Sequence, residues 1–289
     1  EFLQGMEFMS GDDNRRVGQV KEVTSLSNPI VKDIRALAMK KFRDAQDAFM
    51  AEGLKLVIDA MDLGWTIRTL VFAKNQRGTP ALEKLAAKTK ASGGLVLEVS
   101  EKVLGAITRK DNPQMVLGVF KQRWMPLKDV RPTGNDVYVA LDRVRDPGNL
   151  GTIIRTADAV GAKGVILIGD TTDPFSVETV RATMGSIFAV PVTKANAEAF
   201  LAWRKASGAR LFGTHLKGSV DYRQPKYDGG PVILMMGNEQ QGLPEQLADA
   251  CDQLIRIPQT GRADSLNLAV ATGVALYEIR RHALPSGGV

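Results

Sequence analysis

Val137-Tyr138-Val139-Ala140-Leu141-Asp142-Arg143-Val144-Arg145-Asp146-Pro147-Gly148-Asn149-Leu150-Gly151-Thr152-Ile153-Ile154-Arg155-Thr156-Ala157 is an apolar run that empties into charge, glycine and asparagine and then resumes with helical spacing. An apolar run without alternation reads as a strand buried on both faces, the habit of a parallel sheet. Pro147 suits an early helical position, and Gly148 and Gly151 let a neighbouring backbone or a ligand come close. The same pattern returns twice. Val232 to Met236 leads into Gly237-Asn238-Glu239 with Gly242 behind it, and Leu254 to Ile257 leads on to Ser265-Leu266-Asn267. In an open α/β sheet, ligands bind where the carboxyl ends of strands meet the following loops, so three such loops imply one composite pocket and an enzyme.

Outward from this stretch the alternation continues. Downstream, strands are expected at 137–141, 164–168, 188–192, 210–214, 232–236 and 254–257, with helices near 149–160, 176–184, 196–207, 244–250 and 265–281. This is a mostly parallel, doubly wound sheet. Upstream, helix 29–41, strand 48–51, helix 54–63, strand 67–72, helix 81–90, strand 95–99, a further helix and strand 115–120 predict a smaller α/β/α sandwich. Between the two, Pro126, Pro132 and Gly134 fall among charges and periodicity lapses. The expected division is a disordered or vector-derived tail at 1–20, a first domain at 21–125, a linker at 126–135 and a second domain at 136–289.

Composition excludes several classes. With 44% hydrophobic and 24% charged residues, the chain has an ordinary globular make-up. The single cysteine, Cys251, cannot close an internal disulfide, and no apolar run approaches the roughly 20 residues of a membrane span, so a cytoplasmic enzyme is expected. Residues 1–125 carry 20 basic and 15 acidic side chains, which places five of the six net positive charges in the first half. That half is suited to a polyanion. Lys32, Arg35, Lys40, Lys41 and Arg43 load its first helix and the exit from it, and a solvated helix face explains them equally well.

Each cluster has a chemical and a bland reading. Arg155, near a helix N-terminus, is placed to hold a phosphate, or else it pairs with Asp158 or Asp142 while Asn149 caps the helix. Glu239, bracketed by glycines after a strand, can accept from hydroxyl or cationic groups. Asp264 or Ser265 is a natural N-cap for the last helix. That helix carries one apolar stripe at Leu266, Val270, Val274 and Tyr277, a second at Leu268, Ala271, Ala275 and Ile279, and small residues at 269, 271, 273 and 275. Such a helix closes a core or a subunit interface. Dinucleotide and P-loop glycine motifs, the nucleophile elbow and a metal-binding cysteine or histidine set are all missing.

In this order the three clusters resemble the signature motifs of the SpoU/TrmH family of SPOUT methyltransferases, over roughly Val137 to Arg281. An intermediate match runs from Val180 to Ser186, with Thr183 where the family often has serine. The resemblance implies a mostly parallel SPOUT-type sheet whose last segments form a trefoil knot, and transfer of a methyl group from S-adenosylmethionine to a ribose 2′-hydroxyl of RNA, with no metal. It further implies that Thr214, His215, Gly237, Ile257 and Leu266 surround the cofactor and that Asn149, Arg155, Glu239, Ser265 and Asn267 form the catalytic constellation. A homodimer whose active site draws on both subunits is expected with it. The stretch from Ser27-Asn28-Pro29 through Ala51-Glu52-Gly53 resembles the L30e-like substrate-binding domain of many family members. On that likeness Lys32, Arg35, Lys40, Lys41 and Arg43 are RNA contacts, and ribosomal RNA is favoured over transfer RNA. A tRNA ribose methyltransferase, a base-methylating SPOUT enzyme and a non-catalytic RNA-binding protein are the competing readings.

Overall fold

The computed structural model describes residues 18–216 and 219–285, so most of the expected tail, residues 1–17, lies outside the described residues. Five strands form the first sheet: β1 (Val20–Val23), β2 (Ala48–Glu52), β3 (Ile67–Ala73), β4 (Leu95–Val99) and β5 (Val116–Lys121), in the order β1-β4-β3-β5-β2. β1, β4 and β3 run parallel, and β5 runs antiparallel to both β3 and β2. Helices α1 (Pro29–Ala36), α2 (Lys40–Gln46), α3 (Leu54–Asp62), α4 (Pro80–Ala91) and α5 (Glu101–Thr108) flank it. Val31, Ile34, Val103 and Ile107 of α1 and α5 pack one face, while Val57, Ala60, Leu82 and Leu85 of α3 and α4 pack the other.

Local sequence accounts for much of this. Asn28 caps α1 by accepting from the Ile30 N–H at 2.9 Å, and Pro29 fills the first turn, where no N–H is needed. The single helix expected over 29–41 is instead two. Leu37 is pinned in the core and Met39 is extended, at φ −105° and ψ 132°, so the chain turns before α2 begins.

The second sheet has seven strands, all parallel. Along the chain run β6 (Val137–Asp142), α6 (Pro147–Ala159), β7 (Gly164–Ile168), α7 (Val177–Ala182), β8 (Val192–Ala195), α8 (Ala197–Ser207) and β9 (Arg210–Thr214), followed by β10 (Val220–Asp221), β11 (Val232–Met236), α9 (Glu245–Asp249), β12 (Gln253–Arg256) and α10 (Leu268–Arg280). The strand order is β10-β12-β9-β11-β6-β7-β8, and each neighbouring pair is parallel. From β6 the chain walks outward through β7 and β8, then crosses back to the other side of β6. The direction reverses between β6 and β11, which is where a crevice opens at the strand ends.

Two expectations of this half are corrected. The strand placed at 188–192 begins at Val192, preceded by a 3-10 turn at Ser186–Phe188. Phe188 and Val190 are apolar because they are buried, Phe188 under the first domain's aromatic side chains, and not because they lie in a sheet. Helix α10 starts at Leu268 and not at 265, because Asn267 takes the N-cap and accepts from the N–H groups of both Ala269 and Val270, at 2.9 and 3.2 Å. Neither Asp264 nor Ser265 caps it.

The two halves share an aromatic seam. Phe49, Trp65 and Phe120 of the first meet Phe175 and Phe188 of the second, with Phe49 to Phe175 at 4.8 Å and Trp65 to Phe188 at 5.2 Å between ring centres. The Trp65 indole N–H donates to the Phe188 carbonyl at 2.9 Å.

Candidate active site

At the β6/β11 crevice three loops come together around a cleft of about 530 Å³. It is lined by Arg143, Arg145, Asp146 and Asn149 after β6, by Asn238, Glu239, Gln240 and Gln241 after β11, and by Asn267 at the start of α10. The lining is almost wholly polar, so it suits a hydroxyl- and phosphate-bearing substrate.

Hydrogen bonds stitch the loops to one another. The Asn238 amide donates to the Arg143 carbonyl at 2.9 Å, and its oxygen accepts from the Gln240 and Gln241 N–H groups at 3.0 and 3.1 Å. Glu239 accepts from the Arg145 and Asp146 N–H groups at 3.3 and 3.4 Å, ahead of the α6 N-terminus, where the helix dipole favours a carboxylate. Asn267 donates to the Asn149 side-chain oxygen at 3.0 Å. The α6 cap is Asp146, which accepts from the Asn149 N–H at 2.6 Å. The Asn149 side chain is therefore not spent on capping and faces the cleft.

Gly237 is what lets the second loop fold this tightly. A Cβ there would stand 2.3 Å from the Gly242 carbonyl carbon and 2.4 Å from the Leu243 nitrogen, so the turn over residues 238–242 closes directly on its backbone.

Six of the nine lining residues lie outside the expected site set: Arg143, Arg145, Asp146, Asn238, Gln240 and Gln241. Arg143 adopts φ +49°, a left-handed conformation unusual for a side chain of its size. Its guanidinium is held by the buried Asp142 at 2.9 Å and by Gln241 at 2.8 Å. Arg145 pairs with the exposed Asp170 at 2.9 Å. Gln240 and Gln241 complete the rim. The signal available in the sequence was two arginines immediately after a buried strand, and nothing there shows the left-handed turn that aims the first of them.

The structure brings together Asn149, Glu239 and Asn267, but not Arg155 or Ser265. Arg155 is exposed on α6, six residues and about 9 Å of helix beyond Asn149, and is not among the cleft-lining residues. Ser265 is exposed in the loop before α10. The cofactor candidates gather at neighbouring strand ends. Thr214 and His215 end β9, with the His215 N–H on the Ile255 carbonyl at 3.0 Å, while Gly237 and Ile257 each lie one residue past β11 and β12. Leu266, nine residues past Ile257 in the loop before α10, is 37% exposed. Gly237 and Ile257 thus put backbone polar groups and an apolar side chain just beyond the strand ladders, a combination suited to a ligand with polar and apolar faces. Among the described residues no group of three His, Cys, Asp or Glu could hold a metal, and no helix is long and apolar enough to cross a membrane.

Arg43 is corrected outright. It is 3% exposed and its guanidinium meets Asp173 of the second domain at 2.7 Å, so it is part of the seam and not of an RNA-facing surface. Lys32, Arg35, Lys40 and Lys41 are exposed.

Comparison with known proteins agrees with this geometry. The SpoU rRNA Methylase family matches residues 136–277, and the MRM3-like substrate binding domain matches residues 28–118. The 23S rRNA (guanosine(2553)-2′-O)-methyltransferase RlmP of Bacillus subtilis is 32% identical, over 90% of this chain and all of its own length. The chain belongs to the SpoU rRNA methylase family. The 23S rRNA (uridine(2479)-2′-O)-methyltransferase of Streptomyces viridochromogenes is 30% identical over 94% of this chain and 96% of its own. The AdoMet-bound rRNA methyltransferase of Sinorhizobium meliloti superposes with a TM-score of 0.89 at 66% identity, covering 93% of this chain and all of that one. SPOUT architecture with an N-terminal substrate-binding domain, and S-adenosylmethionine as cofactor, follow from these matches.

Proposed function

We propose that this family member methylates a ribose 2′-hydroxyl of ribosomal RNA in the cytoplasm. The observation that carries the reading is the convergence of Asn149, Glu239 and Asn267, from three separate loops, on one polar cleft at the point where the sheet reverses. The rRNA specificity of relatives that align along nearly the whole chain favours ribosomal over transfer RNA.

S-adenosylmethionine supplies an electrophilic methyl group when bound. Thr214, His215, Gly237, Ile257 and Leu266 are the residues that would hold it. The chain's own task is to place a hydroxyl in line and to manage its proton, and positioning is the largest contribution available without a covalent intermediate. Asn149 and Asn267, already bonded to each other, orient the ribose. Glu239 fixes the entrance of α6, and Ser265, exposed in the loop before α10, is assigned to positioning substrate and cofactor. Arginine stays protonated in proteins, so Arg155 acts as a clamp on substrate phosphate that stabilises developing alkoxide charge.

Arg155 lies outside the cleft of its own chain, which supports a homodimer in which each site is completed by the other subunit. The exposed apolar residues of α10 are the contact we assign to it, Val270 and Tyr277 at 52% and 51% exposed, with Leu266 just ahead of the helix at 37%. A C-terminal knot is supported by the strand order. β12 lies between β9 and β10, so the connection from β9 to β11 passes around it, and Arg210 fastens that connection by donating to the Lys226, Tyr227 and Asp228 carbonyls at 2.9, 2.7 and 2.9 Å. The first domain, residues 21–125, grips RNA through Lys32, Arg35, Lys40 and Lys41, with 126–135 as the linker to the methyltransferase domain at 136–289.

The test is labelled-methyl transfer to large-subunit rRNA from a strain lacking the enzyme, with the modified residue mapped. Methylation that survives 2′-deoxy substitution at the target would assign the chemistry to a base instead. A pH profile of Arg155→Lys separates the clamp, which predicts uniform loss with weaker RNA binding, from a base, which predicts rescue at high pH.

A further inference from the structure

The seam between the sheets holds two ion pairs that its packing alone does not require. Arg43 of α2 gives Nε and Nη2 to a single Asp173 oxygen at 2.8 and 2.7 Å and Nη1 to the Leu37 carbonyl at 2.9 Å, with both side chains less than a tenth exposed. Glu52, at the end of β2 and 6% exposed, receives Lys110 of its own domain at 2.9 Å and Arg181 of α7. Arg181 also donates to the Thr108 carbonyl at 3.2 Å.

Both pairs act on elements that reach the cleft. α7 lies against α6 with no slack, since a Cβ on Gly151 would stand 2.4 Å from the Ala182 Cβ, and α6 carries Asn149. The loop after β7 holds Arg145 at the cleft rim through Asp170 and Arg43 through Asp173. Three residues span at most about 10 Å, so Asp173, which anchors α2 through Arg43, lies within about 10 Å of chain from Asp170 at the cleft rim. Aromatic packing holds two bodies together but tolerates sliding, whereas the buried Arg43–Asp173 pair, and the buried Glu52 carboxylate held by the partly exposed Arg181, favour one geometry.

We propose that Arg43, Asp173, Glu52 and Arg181 are positioning residues that fix the register between the RNA-gripping face of the first domain and the cleft. RNA held by α1 and α2 then presents one ribose, and not its neighbour, to Asn149 and Asn267. This inference rests on the rRNA methyltransferase reading.

The experiment uses the full chain carrying Glu52→Gln with Asp173→Asn, which remove both carboxylate charges while keeping side-chain size. Two readouts are taken. Spin labels at Lys84→Cys and Glu198→Cys, on a Cys251→Ser background, report the distance between the domains without reference to methyl transfer. Filter binding, S-adenosylmethionine calorimetry and single-turnover transfer, all with protein-free large-subunit rRNA as the RNA probe, report function. The expected result is a broadened distance distribution, RNA and cofactor affinities within twofold of the parent, a transfer rate at least tenfold lower, and methyl appearing on adjacent riboses. An unbroadened distribution overturns the proposal. So does a broadened one with an unchanged rate and site, or a rate loss that merely follows lost affinity for cofactor or RNA. Failure of the parent itself to methylate this RNA counts against the rRNA reading, and the distance measurement still decides whether the pairs lock the domains.

Discussion

The seam and the cleft are built from the same pairing, arginine against carboxylate, in opposite surroundings. At the seam, the Arg43 and Asp173 side chains are shut away from water, 4% and 9% exposed. At the cleft, Arg145 and Asp170 are 61% and 85% exposed, and the loops are joined chiefly by amides and backbone N–H groups. A buried charge that loses its partner has nowhere to go, whereas an exposed one turns to water or to an incoming phosphate. The seam therefore spends its arginines on geometry, and the cleft keeps its own available.

The contrast can be broken most forcefully at the seam. Arg43→Ala leaves the Asp173 carboxylate buried and unpaired, which is expected to cost about 3–5 kcal/mol in unfolding free energy. Arg43→Met with Asp173→Leu, by replacing both charges, is expected to restore most of that stability, and urea titration of the two variants checks it. Next comes the cleft. Asn149→Ala removes a positioned polar group from the surface and is expected to lower methyl transfer about 100-fold, with a melting temperature close to the parent. If the melting temperature falls as far as for Arg43→Ala, the distinction between the two regions fails.

A smaller effect is expected at the cleft rim. Arg145→Ala disrupts an exposed pair worth less than about 1 kcal/mol, so stability stays put. If Arg145 meets a phosphate, the salt dependence of RNA binding becomes shallower by roughly 0.7–0.9 in log–log slope; an unchanged slope would remove it from the RNA path. Smallest of all is Cys251. Burial pushes its thiol up to about 12, so at pH 8 it stays protonated and should resist iodoacetamide until the chain is unfolded, which mass spectrometry would show.

What the sequence made legible follows from how local each signal is. Strands such as Gly164–Ile168 and Arg210–Thr214, and the Asn28-Pro29 helix start, are set by neighbours within a few residues and could be read directly. The apolar positions Val270 and Tyr277 of α10 are equally plain and lie on its outward face, while Leu266, expected in the same stripe, falls ahead of the helix because Asn267 takes the cap. The misreadings arose from long-range partners. Arg43 sits among exposed lysines in the sequence, yet a carboxylate 130 positions away draws it inside. Phe188 and Val190 look like a strand because an aromatic cluster from another domain buries them. β1 is not legible locally because, among the described residues, it pairs with β4 alone, more than 70 residues on. In the site, the glycine and asparagine clusters announced the three loops, but the left-handed turn at Arg143 and the bond from Asn267 to Asn149 exist only once those loops meet.

The contact of Gly151 with Ala182 carries a practical consequence for anyone building chimeras. The natural place to exchange one RNA-reading domain for another looks like the linker at 126–135, yet the surface that receives the first domain extends into the second, along residues 169–188. The C-terminal turn of α7 meets α6 through Ala182 and Glu52 through Arg181. A graft that swaps residues 21–125 alone would seat a foreign domain on a mismatched bearing, so the transferable cassette is the first domain together with residues 169–188.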